Sequence, residues 1–245
     1  MIIIKKKTFH IYLSEFIGVF FLVLLGLSIV VLINGDGSPV KGWIPGEGIR
    51  RAVTGWLFGT TGCLITISRV GKISGAHINP IVSIAFLLKK KLSLQHTLGF
   101  IIAQMTGAVA GALPLLLWGA QGRSVGYGAT VPGPGGIGVA FIGETITSFL
   151  LIAGIFFFTG HKKLKRFTPY LMPFLYCSMV WAEGTISGTS TNPARSFGPA
   201  VVSGIWNSYW IYWAAPVFGA LLAVGLFEMP FLWKWKTEVP KVYQA

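Results

Sequence analysis

The stretch Ser74-Gly75-Ala76-His77-Ile78-Asn79-Pro80-Ile81 has a second, altered copy in Ser187-Gly188-Thr189-Ser190-Thr191-Asn192-Pro193-Ala194-Arg195. Asn followed by Pro is a helix start, because Asn is a preferred N-cap and Pro suits the first helical position, where no backbone N–H is needed. The apolar runs that follow are Ile81 to Leu88 and Ala194 to Val202. They are only about two turns long, whereas crossing a bilayer takes ~20 residues. Duplicated half-helices in a membrane chain point to a pore or substrate path at mid-membrane.

The rest of the chain supplies the membrane. It is 53% hydrophobic and 11% charged, with 32 glycines, where a soluble domain carries about 25% charged residues. Six segments are long and apolar enough to span, roughly 11–33, 49–70, 94–119, 137–159, 168–186 and 209–232. The first follows Lys5-Lys6-Lys7 but is too long for a signal peptide and shows no small-residue cleavage site. Residues 34–48 and 120–136 are Gly/Pro-rich loops, and no separate soluble domain is expected. Cys63 and Cys177 fall within spans and read as small buried apolar residues.

The net charge of +13 is distributed by side. With the N-terminus inside, the cytoplasmic ends and loops hold fifteen basic residues, among them Lys5, Lys6, Lys7, Lys89, Lys90 and Lys91, against five on the other side. This positive-inside bias places both termini in the cytoplasm of a multi-pass cell-membrane protein. It gives no support for a nucleic-acid partner.

The chain reads as two halves, residues 11–119 and 137–232, within one transmembrane domain covering 1–245. Glu15 precedes Phe20 as Glu144 precedes Phe149, and the Asn-Pro motifs follow the second and fifth spans. Three spans per half invert the second repeat, so the short helices enter from opposite faces and meet N-terminus to N-terminus. Glycines such as Gly18, Gly26, Gly107 and Gly219 let helices approach closely. This pattern resembles the aquaporin, or major intrinsic protein, family over nearly the whole chain. The residues carrying the resemblance are the paired Asn-Pro motifs with their flanks, Glu15, Glu144 and Tyr212-Trp213. It implies an all-α membrane fold of six transmembrane helices and two re-entrant half-helices, assembled as a homotetramer, with no cofactor or metal.

The residues of the motif then take roles. An N-cap Asn spends its side-chain oxygen on its own helix, which leaves its NH2 to offer donors only. Asn79, Pro80, Ile81, Asn192, Pro193 and Ala194 form the expected pore centre. Two such amides would orient a passing water, and the positive ends of both half-helices oppose cations and protons there, as is established for aquaporin-type pores. Arg195, a charge at membrane depth, marks a water-filled path, and the resemblance makes it the cationic member of the outer selectivity filter. Glu15 and Glu144 would accept bonds from the re-entrant backbones. His77 reads as a loop-packing residue. The family's pore-lining carbonyls would belong to Gly75, Ala76, His77 and Ile78, and to Gly188, Thr189, Ser190 and Thr191.

Some positions depart from the family pattern. Ile81 replaces the usual alanine and adds a branched side chain beside the central constriction. Counting back from the asparagines puts Gly59 and Val180 in the filter with Thr189 and Arg195; a register slip of one would put Phe58 and Trp181 there instead. Without the slip the filter should be wide and should pass glycerol-sized solutes. Against a dedicated glycerol channel stand Ser196 and Ala200, where that subfamily has Asp and Arg.

The expected function is a passive channel for water, extending to small uncharged solutes such as glycerol, urea or metalloid acids, and closed to protons and ions. A proton- or ion-coupled secondary transporter is the competing class, since it too uses inverted repeats and broken helices, but only the two loop-bracing glutamates could serve it. A junctional protein with a closed pore is the third. No nucleophile, base or metal cluster assembles for an enzyme.

Overall fold

Local chemistry sets the starts of the two short helices. Asn79 (φ −158°, ψ 124°) and Asn192 (φ −150°, ψ 104°) both sit in extended backbone, followed by a proline at the first helical position. The Asn79 side chain accepts from the Ile81 N–H at 3.1 Å, and that of Asn192 from the Ala194 and Arg195 N–H groups at 3.0 and 3.3 Å. These bonds satisfy donors that a helix start leaves without intrahelical partners. The second short helix stops at Gly204, whose φ of +73° is the left-handed conformation that suits glycine.

The structure is a computed structural model and describes residues 6–229. Eight principal helices follow in order: α1 (Lys6–Asn34), α2 (Glu47–Ile67), α3 (Pro80–Leu88), α4 (Leu94–Ala112), α5 (Gly136–Gly160), α6 (Thr168–Glu183), α7 (Pro193–Ser203) and α8 (Ile211–Leu226). Short helical turns join them, including Gly71–Ser74 before the first Asn-Pro and Leu113–Trp118 after α4. Among the described residues there is no strand. Three helical stretches are long and apolar enough to cross a membrane: Thr8–Asn34, Leu94–Arg123 and Gly136–Gly160. Lys5, Lys234, Lys236 and Lys241, and with them the expected sidedness of the termini, lie outside the described residues, as do residues 230–232 of the last expected span.

Packing repeats between the halves. In the first, α1 lies along α4; in the second, α5 lies along α8. Glycine makes both contacts close. A Cβ at Gly107 would stand 2.4 Å from the Phe16 carbonyl oxygen, and one at Gly219 would stand 2.4 Å from that of Thr145. The halves are joined by α2 against α6 and by the short helices, α7 packing on α4 and α3 on α8. Small residues at such interfaces gain van der Waals contact where lipid offers no hydrophobic drive. Hydroxyls within α2 are satisfied locally, Thr54, Thr61 and Thr66 donating to the carbonyls of Arg50, Leu57 and Gly62. That is the bonding an apolar surround demands. The outer surface carries large apolar side chains such as Leu64, Ile102, Ile142 and Phe174. Cys63 is buried as expected, but Cys177 is only partly so; both are free thiols.

Candidate functional site

The segments before the two asparagines share one unusual backbone. Gly75, Ala76 and Ile78 have φ of +83°, +50° and +42°; Gly188, Thr189 and Thr191 have +85°, +49° and +50°. Left-handed conformations at residues other than glycine cost about 1–2 kcal/mol each, so something must hold these four in place. In the first segment the His77 and Ile78 N–H groups donate to the Glu15 carboxylate at 2.9 and 2.7 Å. In the second, the Ser190 and Thr191 N–H groups donate to Glu144 at 2.6 and 2.9 Å. Both glutamates are fully buried. Bonds to a charged acceptor contribute roughly 1.5–3 kcal/mol each, enough to offset the strain.

The asparagines are tied to each other's segments. The Asn79 amide donates to the Thr191 carbonyl and the Asn192 amide to the Ile78 carbonyl, both at 2.9 Å. Each NH2 carries two hydrogens, so each asparagine keeps a second donor after this crossed bond. Both asparagines border the same cavity.

One chamber borders the crossing and a second borders Arg195. The larger, about 310 Å³, is bounded by Gly75, Ala76, His77, Ile78, Asn79 and Asn192, with an apolar wall that includes Val82 and Phe86. The other, about 200 Å³, is bounded by Arg195, Thr189, Gly188, Val180, Arg51 and Thr130 among others. Phe58 and Tyr176 border both chambers. Their ring centroids are 5.4 Å apart, and the Arg195 Cζ lies 5.8 Å from the Phe58 centroid, within cation–π reach. Arg195 is 6% exposed and donates to the Gly128 carbonyl at 2.6 Å.

The expected site residues divide between the two chambers and the core. Gly59 borders the asparagine chamber and not the arginine chamber, and it packs against α6: a Cβ there would lie 2.4 Å from the Met172 carbonyl oxygen, and one at Gly55 would lie 2.3 Å from that of Tyr176. The pair lets α2 touch α6, and Phe58, one residue earlier, is the side chain that faces Arg195. Val180 borders the arginine chamber as counted, while Trp181 is 57% exposed and borders neither chamber. On α2 it is thus Phe58 that stands beside Arg195, whereas on α6 the counted Val180 borders that chamber and Trp181 does not. Ile81 is fully buried in the core and borders neither chamber; Val82 takes the wall position of the asparagine chamber. Ala194 is likewise buried. Ser190 and Thr191 are fully buried and border neither chamber, the Ser190 hydroxyl bonding to Ser196 and the Asn192 carbonyl. Thr189 borders the arginine chamber but its hydroxyl donates to Glu183. His77 packs against Phe86 and Phe100 and bonds Ser83 through Nδ1 at 3.1 Å, and also borders the asparagine chamber.

Three participants were missed from sequence. Gln104, within the third expected span, donates to Glu15 at 2.8 Å and to Ser83 at 3.1 Å. Glu183 binds the Ser187 and Thr189 hydroxyls, while Ser187 also donates to Glu144 at 2.6 Å. A third carboxylate within an expected span was the available signal. Tyr176, bonded through its hydroxyl to Thr191 Oγ1 at 2.9 Å, had none beyond its place in α6.

The chain matches the family described as major intrinsic protein over residues 3–227. It is 33% identical over 221 residues to Aquaporin-4 of Mus musculus, a match covering 89% of this chain and 66% of that one, so it spans just under two thirds of that relative's length. It is 34% identical over 229 residues to Aquaporin AqpM of Methanothermobacter thermautotrophicus, covering 86% of this chain and 93% of that one. The X-ray structure of the aquaglyceroporin from Plasmodium falciparum superposes with a TM-score of 0.76 at 19% identity, over 94% of this chain and 99% of that one, and shows the shared fold. With crossed Asn-Pro half-helices, carboxylate-braced segments and a family match along almost its whole length, this multi-pass membrane protein belongs to the major intrinsic protein family.

Proposed function

We propose that the chain is a passive transmembrane channel for water, admitting small uncharged solutes only so far as the ring pair beside Arg195 permits, and closed to ions and protons. All six long helices then cross the membrane, with the two chambers as the halves of one path. The crossed asparagine pair carries this reading: with their oxygens committed to capping, the amides offer a passing molecule donors only. A water there turns its oxygen toward them. The positive ends of α3 and α7 and the Arg195 guanidinium disfavour a cation at the same place. A coupled transporter is less well supported, because among the described residues no carboxylate borders either chamber. The relatives' names add weight to the water reading, and family membership extends it to a homotetramer with one path per subunit. The basic bias of residues such as Lys72, Lys89, Lys162 and Arg166 supports a cell-membrane orientation with both termini cytoplasmic.

Stopped-flow shrinkage of reconstituted vesicles under a sucrose gradient tests the reading. Water flow well above that of protein-free vesicles, unchanged by imposed pH or sodium gradients, is expected. Flow that requires either gradient would indicate a transporter, and no excess flow would indicate a closed pore.

A further inference from the structure

Taking the channel reading as its basis, we propose that Tyr176 is a size-determining residue, which with Phe58 forms the bottleneck between the chambers and bars solutes as large as glycerol. The two rings are the elements common to both chamber walls. At a centroid separation of 5.4 Å and an interplanar angle of 43° they are in contact, so nothing passes between them. A path joining the chambers would then have to run along their edge, where the Arg195 Cζ lies 5.8 Å from the Phe58 centroid.

Neither ring has room to withdraw. Behind Phe58 is Gly26 on α1, where even an added Cβ would stand 2.6 Å from Phe58 Cε2. Tyr176 is held at both ends. Its hydroxyl bonds Thr191 Oγ1 at 2.9 Å, and its carbonyl oxygen is pressed against Gly55. Through Thr191 it is coupled to the same residue whose carbonyl receives the Asn79 amide. An aperture edged by fixed aromatic rings admits a single file of waters, which are small and can exchange bonds with Arg195. A three-carbon polyol is wider, and the ring faces offer none of the hydrogen bonds that its hydroxyls lose on leaving water. Val180, one helical turn from Tyr176 toward the arginine chamber, is too short to set this limit.

The test is the ratio of glycerol to water permeability in reconstituted vesicles at matched protein density. Wild type is expected to conduct water with glycerol flux near that of protein-free vesicles. Tyr176→Val should raise the ratio about tenfold or more, a fall in barrier of one decade, and Trp181→Ala, whose exposed side chain borders neither chamber, should leave it unchanged. Should Tyr176→Val yield no folded protein, Phe58→Leu opens the gap from the other wall and is expected to raise the ratio likewise. Free glycerol passage in wild type would overturn the proposal, as would an unchanged ratio in a folded, water-conducting Tyr176→Val or in the substituted Phe58→Leu. Absence of water flow in wild type would instead remove the channel reading itself.

Discussion

The segment before Asn79 and the segment before Asn192 repeat each other in backbone and differ in what stands behind them. Each has a glutamate accepting two N–H groups, and each hands a carbonyl to the opposite asparagine. Behind the first stands Ser14, whose hydroxyl donates to the Val70 carbonyl at 2.6 Å and to Ser74 at 3.0 Å. The matching places in the second half hold Gly143 and Glu183. A Cβ at Gly143 would lie 2.6 Å from Glu183 Oε1, so the glycine makes room for the carboxylate. Glu183 then takes the hydroxyls of Ser187 and Thr189, and Thr189 forms part of the arginine chamber wall. What both halves share is therefore the clamp that presents the asparagines. The extra carboxylate belongs only to the side where Arg195 sits.

The largest expected effect tests the shared part. Glu15→Ala and Glu144→Ala each strand two backbone N–H groups of a strained segment, at roughly 1.5–3 kcal/mol per bond to a charged acceptor. Both should abolish folded protein in detergent, seen as loss of the monodisperse peak in size-exclusion chromatography. Survival of one variant and not the other would break the equivalence of the two clamps.

Next comes the third residue of each motif, Ile81 in one half and Ala194 in the other, both fully buried. Ile81→Ala should lower stability by about 2–5 kcal/mol through the cavity it leaves, with the glycerol-to-water permeability ratio unmoved. A changed ratio would return Ile81 to the path.

A smaller effect sharpens the difference between halves. Gly143→Ser alone places atoms where Glu183 lies and should cost about 1–3 kcal/mol by overpacking. Combined with Glu183→Val it rebuilds the serine and valine of the first half, and thermal unfolding should show recovery, a coupling of about 0.5–3 kcal/mol. Additive losses would mean that the two positions do not share space.

Much of this comparison was legible before the structure. The helix starts at Pro80 and Pro193 follow from Asn-Pro alone, and the matched glutamates stood out because a carboxylate in an apolar run needs a partner. The neighbour of Arg195 was not legible on the α2 side. Counting back from Asn79 to Gly59 assumes an unbroken rise, yet α2 ends at Ser68 in extended backbone (φ −65°, ψ 164°) and the turn Gly71–Ser74 intervenes. One residue of error on a helix rotates a side chain by about 100°, which is the difference between Gly59 against α6 and Phe58 against Arg195. On α6 the counted Val180 does border the arginine chamber, while Tyr176, a turn away, borders both chambers. Glu183 escaped notice because its pairing depends on the space left by Gly143, a contact between separate helices.

The equal standing of the two asparagines is the point on which the reading turns, and paired Asn79→Asp and Asn192→Asp variants address it most directly. Asp caps a helix about as well as Asn, so α3 and α7 keep their starts, while each variant exchanges the crossed amide donor for negative charge. Water flux and the decay of an imposed pH gradient would be recorded on the same vesicles. Expected are no proton leak in wild type and comparable leak in the two variants, with water flow retained. Leak in wild type, or leak in one water-conducting variant with none in the other, would contradict the claim that the halves meet as equals at a donor-only crossing.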